Sequence, residues 1–484
     1  VLPDPLQLHS DGRFVNIAWP TLAMPLSSQA IYHRFMSTLN RNVAQGDLVF
    51  RRHSAGYEAA RRATMWNARV PDRYPEVIVK ARDVYDVIAA VRMAKREGLR
   101  LTVRSGGHSW AGNHVRDGGL LLDLSALQDV TVDKENLRAT TGPGRAGHEL
   151  CALLGKQGLF FPAGHCKGVC VGGYLLQGGF GWNSRALGPA CMSVIGLDLV
   201  TADGDVVFAS PEENADLYWA ARGAGPGFFC VVTRFHLRVY PKPKVIGMAL
   251  YSYPLDCLEE VFRFAHAIAP EVPNSVELQF IMSRKAFGAN GPGIEVVAPV
   301  FEDGLGDALR ALTFLNKSAL RRKAVLRIPF APSTMDLLYR ATMTHYPDDH
   351  RYAVDNMWTR ASIDELLPGI HKIASTLPPA PSHMLWLNWS PPAGRPDMAF
   401  SVEDKTYLAL YGCWKHAIND DPYANWATER MREMAHLATG CQLADENLGR
   451  RPARFITDEK LQRLDQIRNA HDPQSRFHSY MGRP

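Results

Sequence analysis

From Pro75 onward the chain alternates short apolar runs with periodic amphipathic stretches. Val77-Ile78-Val79 is a continuous apolar run, as a strand buried on both faces reads. Asp83 to Glu97 carries Val84, Val87, Ile88, Val91 and Ala94 at the spacing of one helix face. Asp83 is placed to cap the start of that helix and Gly98 to stop it. Leu101-Thr102-Val103 then predicts a second strand. Strand, helix, strand in that order is an α/β unit, and ligands gather at the strand ends of such units. Further on, Val200-Thr201-Ala202-Asp203-Gly204-Asp205 predicts a strand closed by an Asp-Gly hairpin turn.

At Tyr240-Pro241-Lys242-Pro243 two prolines interrupt the regular pattern, which predicts a boundary between domains there. Beyond it the character changes. Ser275 to Met282, Gly293 to Val300, Ser382 to Trp389 and Thr406 to Cys413 read as strands, with helix-like segments such as Gly304 to Asn316 between them. Asp458 to Asn469 predicts one more helix. The first 50 residues, with Pro3, Pro5, Pro20 and Pro25, show no sustained period. The expected organisation is therefore an arm at 1–50, one domain at 51–241, a second at 242–430 and a closing segment at 431–484.

Length supports two domains, since 484 residues exceed one ordinary core. Hydrophobic content of 46% with 21% charged residues is that of a globular chain. A net charge of +5 with no basic run longer than Arg321-Arg322-Lys323 argues against nucleic acid as a partner. No apolar stretch reaches the roughly 18 residues of a membrane helix, so no membrane partner is expected. Val1 to Ser10 shows no basic start followed by an apolar core. The eight cysteines are sparse and unpatterned, which favours the cytoplasm over secretion, although a leader removed before Val1 leaves secretion open. Asn316-Lys317-Ser318 and Asn388-Trp389-Ser390 match glycosylation acceptors, a triplet common by chance.

Chemistry concentrates in two glycine-rich segments. Arg104-Ser105-Gly106-Gly107-His108-Ser109 follows the second strand, and Gly164-His165-Cys166-Lys167-Gly168-Val169-Cys170-Val171-Gly172-Gly173 opens a longer run. Seven of the eighteen positions 164–181 are glycine, against 39 in 484 overall. Glycines let main-chain N–H groups approach a ligand without a Cβ in the way, and here each cluster also holds a nucleophile, His108 or Cys166. His165, Cys166 and Cys170 could also be read as metal ligands, but no second ligand pair at finger-like spacing accompanies them, and no metal is expected.

These motifs resemble the flavin domain of the vanillyl-alcohol oxidase and p-cresol methylhydroxylase superfamily, most closely its berberine-bridge-enzyme-like branch. The R-S-G-G-H signature falls on Arg104 to His108, and A-G-x-C-x-x-x-x-x-G-G on Ala163 to Gly173. Leu121 to Ser125, Val132-Asp133, Gly142-Pro143-Gly144, Gly178 to Gly181, and Arg222 to Thr233 follow in the family's order, with Cys230 replacing the last glycine of that final block. The resemblance implies an α+β, two-domain p-cresol-methylhydroxylase-type fold whose substrate domain is an antiparallel sheet covered by helices, with the tail returning to the flavin domain. It implies FAD attached through both His108 and Cys166. The cofactor contacts implied are Arg104, Ser105, Gly106, Gly107, His108, Ser109, Cys166, Val169, Gly172, Gly173, Tyr174, Gly178, Gly179, Gly181, Val231 and Val232. Plant secreted relatives carry an N-terminal disulfide, for which this chain has no cysteine before Cys151.

The activity implied is an oxidase that takes a hydride from a C–H beside oxygen or nitrogen of a small molecule and passes the electrons to molecular oxygen, giving hydrogen peroxide. Val169 sits where a small residue resembles the oxidases. A dehydrogenase with another acceptor, an oxidative tailoring or cyclising enzyme of secondary metabolism, and a non-catalytic binding module are the alternatives. Gln442 stands where the family often has a tyrosine base, and Tyr174 where it often has histidine; a glutamine cannot serve as a base. Tyr352 and Asp355 are the candidate catalytic residues, because Arg351 to Asn356 resembles a family strand. Asp445 and Glu446 read as solvated or capping. Trp386 and Trp389 point to opposite faces of a predicted strand, so one can face a pocket, and an aromatic wall suits a sugar ring or a phenolic alike.

Overall fold

The computed structural model describes residues 48–389 and 394–483. Most of the predicted arm, and Ser390 of the second acceptor triplet, lie outside the described residues.

Three large sheets and one two-stranded pair carry the described residues. The first has four strands in the order Val49–Arg51, Val77–Lys80, Leu120–Asp123, Leu101–Arg104; all but the first run parallel. Val77, Ile78 and Val79 are buried, and so are Leu120, Leu121 and Leu122, as a parallel sheet covered on both faces requires. The helix Val84–Glu97 packs on it, with the Asp83 carboxylate accepting from Tyr85 N and Asp86 N, and with Gly98 at φ 67°. The second sheet is antiparallel, five strands in the order Val130–Asp133, Arg138–Thr141, Val231–Arg238, Val194–Val200, Val206–Ala209. Its last hairpin turns at Asp203-Gly204, where Gly204 takes φ 83°.

The third sheet has eight antiparallel strands, ordered Leu326–Pro332, Val245–Pro254, Gly293–Glu302, Gln279–Ser283, His383–Asn388, Thr406–Trp414, Arg351–Thr359, Ala438–Gly440. Strand alternation divides its side chains. Met357, Met384, Trp386, Leu408 and Leu410 pack under the helices Leu258–Ile268, Ile363–Thr376 and Asp420–Glu433. Tyr352, Val354, Trp358, Leu387, Tyr407, Ala409 and Tyr411 occupy the other face, against Trp66, Trp110, Cys166 and Phe180 from the first half of the chain. The fold is thus the α+β arrangement expected, with one sheet face aimed at the glycine loops.

Two local expectations change. Regular pairing continues through the first of the two prolines, because Tyr240–Pro241 pairs with Leu159–Phe160 and Lys242 N donates to Gly158 O. The segment 304–316 is two helices, Leu305–Ala311 and Thr313–Lys317, parted at Leu312 where Thr313 turns its hydroxyl back to Leu309 O. The last helix, Asp458–His471, leads into a tail that lies beside the strand Leu101–Arg104: Leu101 N donates to Arg476 O and His478 N to Leu101 O. Tyr480 reaches further, donating to Ala224 O at 2.7 Å.

Candidate active site

The strand Leu101–Arg104 ends at the first glycine loop, and Arg104 is held there by Asp123 on the neighbouring strand, Nη1 to Oδ1 at 2.7 Å. Among the described residues, the main-chain N–H groups of Gly106, Gly107, His108 and Ser109 donate to no protein acceptor, yet all four residues line one long cavity. Successive free donors of this kind form an anion-binding concavity. Gly107 takes φ 72° because the Thr64 carbonyl occupies the space of a side chain: a Cβ would come within 2.0 Å of it. The His108 ring stacks on Trp66 at 4.8 Å. Burial, with Arg104 nearby, pulls its pKa down to about 3, so the imidazole is neutral and keeps a nucleophilic nitrogen.

Cys166 lines the same cavity from the opposite loop. Burial pushes its thiol well up, with the Asp445 charge adding to the effect. His165 beside it also borders the cavity, with Nε2 2.9 Å from Glu277 Oε2 and its ring against Trp182. Cys170 is a packing residue that also reaches the cavity: its Sγ lies 3.1 Å from Gly144 O, and a Cβ on Gly106 would meet it at 2.9 Å.

The glycines of the 164–181 run answer mostly to the protein itself. A Cβ on Gly164 or Gly179 would meet the Tyr174 ring at 3.2 and 3.0 Å, and one on Gly181 would collide with Ala163 O at 2.1 Å. Tyr174 is buried and its hydroxyl donates to Pro162 O at 2.5 Å. Gly178 packs on Phe400, and a Cβ on Gly172 would strike Ser105 Oγ at 2.2 Å. Only Gly173 of this run has open space where its Cβ would stand, and it faces the cavity. Of the expected cofactor contacts, Arg104, Ser105, Gly106, Gly107, His108, Ser109, Cys166, Val169, Gly172, Gly173, Tyr174 and Val232 line the cavity. Gly178, Gly179, Gly181 and Val231 do not.

Tyr352 and Asp355 also lie off the cavity wall. They are three apart in the strand Arg351–Thr359 and so face opposite ways. The Tyr352 hydroxyl donates to Pro347 O at 2.6 Å, and its main chain is paired with the Asn67 amide. Asp355 points to the helix side, where Arg451 Nη2 and Nε lie 2.6 and 2.8 Å from its Oδ1. Trp386 and Trp389 are likewise absent from the wall; Trp66, Trp110 and Trp358 supply it instead.

The polar centre of the wall is Asp445. Its Oδ2 accepts from both Tyr407 and Tyr411 hydroxyls, the latter at 2.7 Å, and its Oδ1 accepts from Trp110 Nε1 at 2.6 Å. Gln442 performs the capping, with Oε1 accepting from Asp445 N at 3.2 Å. Asp445 is therefore half-buried on the cavity wall with its carboxylate held by three donors, and it does not cap a helix. Glu446 is buried apart from it and is held by Asn113 and by Leu448 N. Burial first, then the Asp445 charge, raises both tyrosines well above their ordinary value, so each stays protonated and donates. Tyr407 and Tyr411 stand four apart in one strand and thus share a face, a signal readable in sequence; the approach of Asp445 from 34 residues further on is not.

Comparison with known proteins bears on this cavity. The FAD binding domain family matches residues 75–210, which span both glycine loops. The FAD-linked oxidoreductase nodO of Hypoxylon pulicicidum is 32% identical over 441 residues, covering 88% of this chain and 94% of the relative. Glucooligosaccharide oxidase of Sarocladium strictum is 34% identical over 237 residues, 48% of this chain and 47% of its own. Among solved structures, 6-hydroxy-D-nicotine oxidase of Arthrobacter nicotinovorans superposes with a TM-score of 0.78 at 24% identity, covering 90% of this chain and 96% of that one. The BBE-like 1 protein of Physcomitrella patens also reaches 0.78, at 21% identity, with 91% and 98% covered.

Proposed function

Since the chain belongs to the FAD-linked oxidoreductases, an enzyme family, we propose that it oxidises a C–H beside a hydroxyl or amine of a small molecule, with Asp445 as the proton acceptor and His108 and Cys166 as the two anchors of FAD. The observation that carries the reading is that three donors converge on Asp445 in the same cavity that holds both nucleophiles.

The residues present fit the cofactor. Free N–H groups at 106–109 and the open side of Gly173 suit a pyrophosphate, while the neutral His108 imidazole and the Cys166 thiol reach the cavity from two loops. When bound, FAD accepts the hydride, and oxygen then takes the electrons as hydrogen peroxide. A substrate O–H or N–H lying against Tyr407 or Tyr411 is oriented by a phenol that already donates to Asp445. As the substrate proton reaches the phenol oxygen, the phenol's own proton moves to Asp445 Oδ2, so the carboxylate takes up the charge without leaving its place. Trp110 holds the other oxygen and fixes the carboxylate plane. Val169 on the wall supports oxygen as the acceptor, by the family resemblance.

The test is anaerobic mixing with a panel of alcohols, phenolics, amines and oligosaccharides, followed by admission of oxygen. The reading expects flavin bleaching with a member of the panel, then rapid recovery of colour with peroxide. Bleaching followed by slow recovery would replace the oxidase with a dehydrogenase.

A further inference from the structure

The hydride-transfer reading leaves the substrate open; this inference rests on that reading and concerns its substrate class. On the inner face of the eight-stranded sheet, register sets Gln279 beside Leu387 and Leu387 beside Tyr407 in one row. The next row runs Glu295, Ile281, Leu385, Ala409. Neighbouring strands lie about 4.8 Å apart, so the path from Tyr407 across to Gln279 spans about 10 Å. Along these two rows the polar side chains stand at the ends, and Thr342 and Tyr346 reach the cavity from outside the sheet. At one end are Tyr407, Tyr411 and Asp445; at the other are Gln279 and His345, whose Nε2 lies 3.6 Å from Glu295. Between them the floor is Ile281, Leu385 and Leu387, with Trp358 beside Tyr407 on the same sheet face, and the facing wall is Trp66, Trp110 and Phe180.

A sugar carries a hydroxyl on nearly every ring carbon. Each one laid on these leucines would lose its water without gaining a partner, a loss of roughly tenfold or more in affinity. A flat hydrocarbon body loses nothing there and gains contact with the aromatic wall. We propose that the substrate is a flat aromatic alcohol or amine about two fused rings wide, its oxidisable carbon held at the Tyr407–Tyr411–Asp445 edge. For an alcohol, the C–H bond breaks as a hydride and the O–H bond as a proton while C=O forms; the electron pair goes by way of FAD to molecular oxygen, which leaves with two protons as hydrogen peroxide.

The experiment uses the flavin-loaded protein under anaerobic conditions. 2-Naphthalenemethanol and cellobiose are compared by the rate of flavin bleaching, and 2-naphthamide, which cannot be oxidised there, is titrated by its perturbation of the flavin spectrum. The expected result is naphthamide binding, with naphthalenemethanol at least 100-fold ahead of cellobiose in kcat/KM. Leu387→Gln and, separately, Leu385→Gln should each cut that lead at least tenfold. Equal or faster bleaching by cellobiose overturns the substrate class, as does naphthamide that leaves the spectrum unmoved. Naphthamide that binds while neither substrate bleaches the flavin supports the class and overturns the hydride-transfer reading instead.

Discussion

Asp445 collects three hydrogen bonds from Trp110, Tyr407 and Tyr411, and its replacement separates binding from chemistry. Asp445→Asn keeps the shape but not the proton acceptor, so flavin reduction should slow by about 10²- to 10⁴-fold while the substrate Kd shifts by only a few-fold, read by stopped-flow reduction at varied substrate. Tyr352→Phe gives the contrasting result. Its hydroxyl serves the Pro347 carbonyl, so stability should fall by about 1 kcal/mol with reduction nearly unchanged. Asp355→Ala would leave the buried Arg451 charge without its partner, at a cost of about 3–5 kcal/mol in a denaturation curve. A large loss of rate in Tyr352→Phe at full stability would return the proton chemistry to that residue. Choosing Tyr352 and Asp355 from sequence failed on strand parity: three residues apart, they could not both face one cavity. The two tyrosines of Thr406–Trp414 at matching parity were the better pair.

Glycine clusters are legible as clusters, but what each glycine yields to is not. In the 164–181 run Gly164, Gly179 and Gly181 make way for Tyr174 or a neighbouring carbonyl, and Gly168, Gly172 and Gly178 for the side chains of His108, Ser105 and Phe400, contacts formed between residues brought together only by folding. The two kinds respond differently to a methyl group. Gly181→Ala drives a Cβ into Ala163 O and should destabilise the protein by about 2 kcal/mol or more, seen as a lower Tm. Gly173→Ala meets no protein atom within 4 Å, so Tm should hold or rise slightly while flavin occupancy falls, measured as the ratio of flavin to protein absorbance. Normal occupancy in Gly173→Ala would place the cofactor elsewhere. The parallel strands and the capped helix Val84–Glu97 were legible because apolar runs and caps act locally; the strand expected over Ser275 to Met282, which runs Gln279–Ser283, and the split helix at Leu312 depended on neighbours.

For the molecule as a whole, burial of neutral histidines sets a pH dependence. Burial pulls His114 and His383 down to about 3 in the folded protein. The unfolded chain binds those protons near pH 6.5 and the folded one does not, so stability is full above that pH and declines as pH falls from about 6.5 towards 3. Each contributes up to about 1.4 kcal/mol per pH unit in that window, and Tm between pH 7 and 5 should drop accordingly, with a shallower slope in His383→Gln. A Tm that holds flat across that range would mean these rings stay in contact with solvent. The two halves of the cavity come from distant parts of the chain, the glycine loops before residue 182 and the sheet face after residue 278, so the glycine-loop half was legible in local motifs and the sheet half was not. The central claim is that one FAD is tethered at both His108 and Cys166. Acid precipitation of the protein separates tethered from free flavin: the yellow colour should stay in the pellet with the unmodified chain and with each single variant, His108→Ala or Cys166→Ala, and be released only from the double variant. Release of the flavin from the unmodified protein would contradict it.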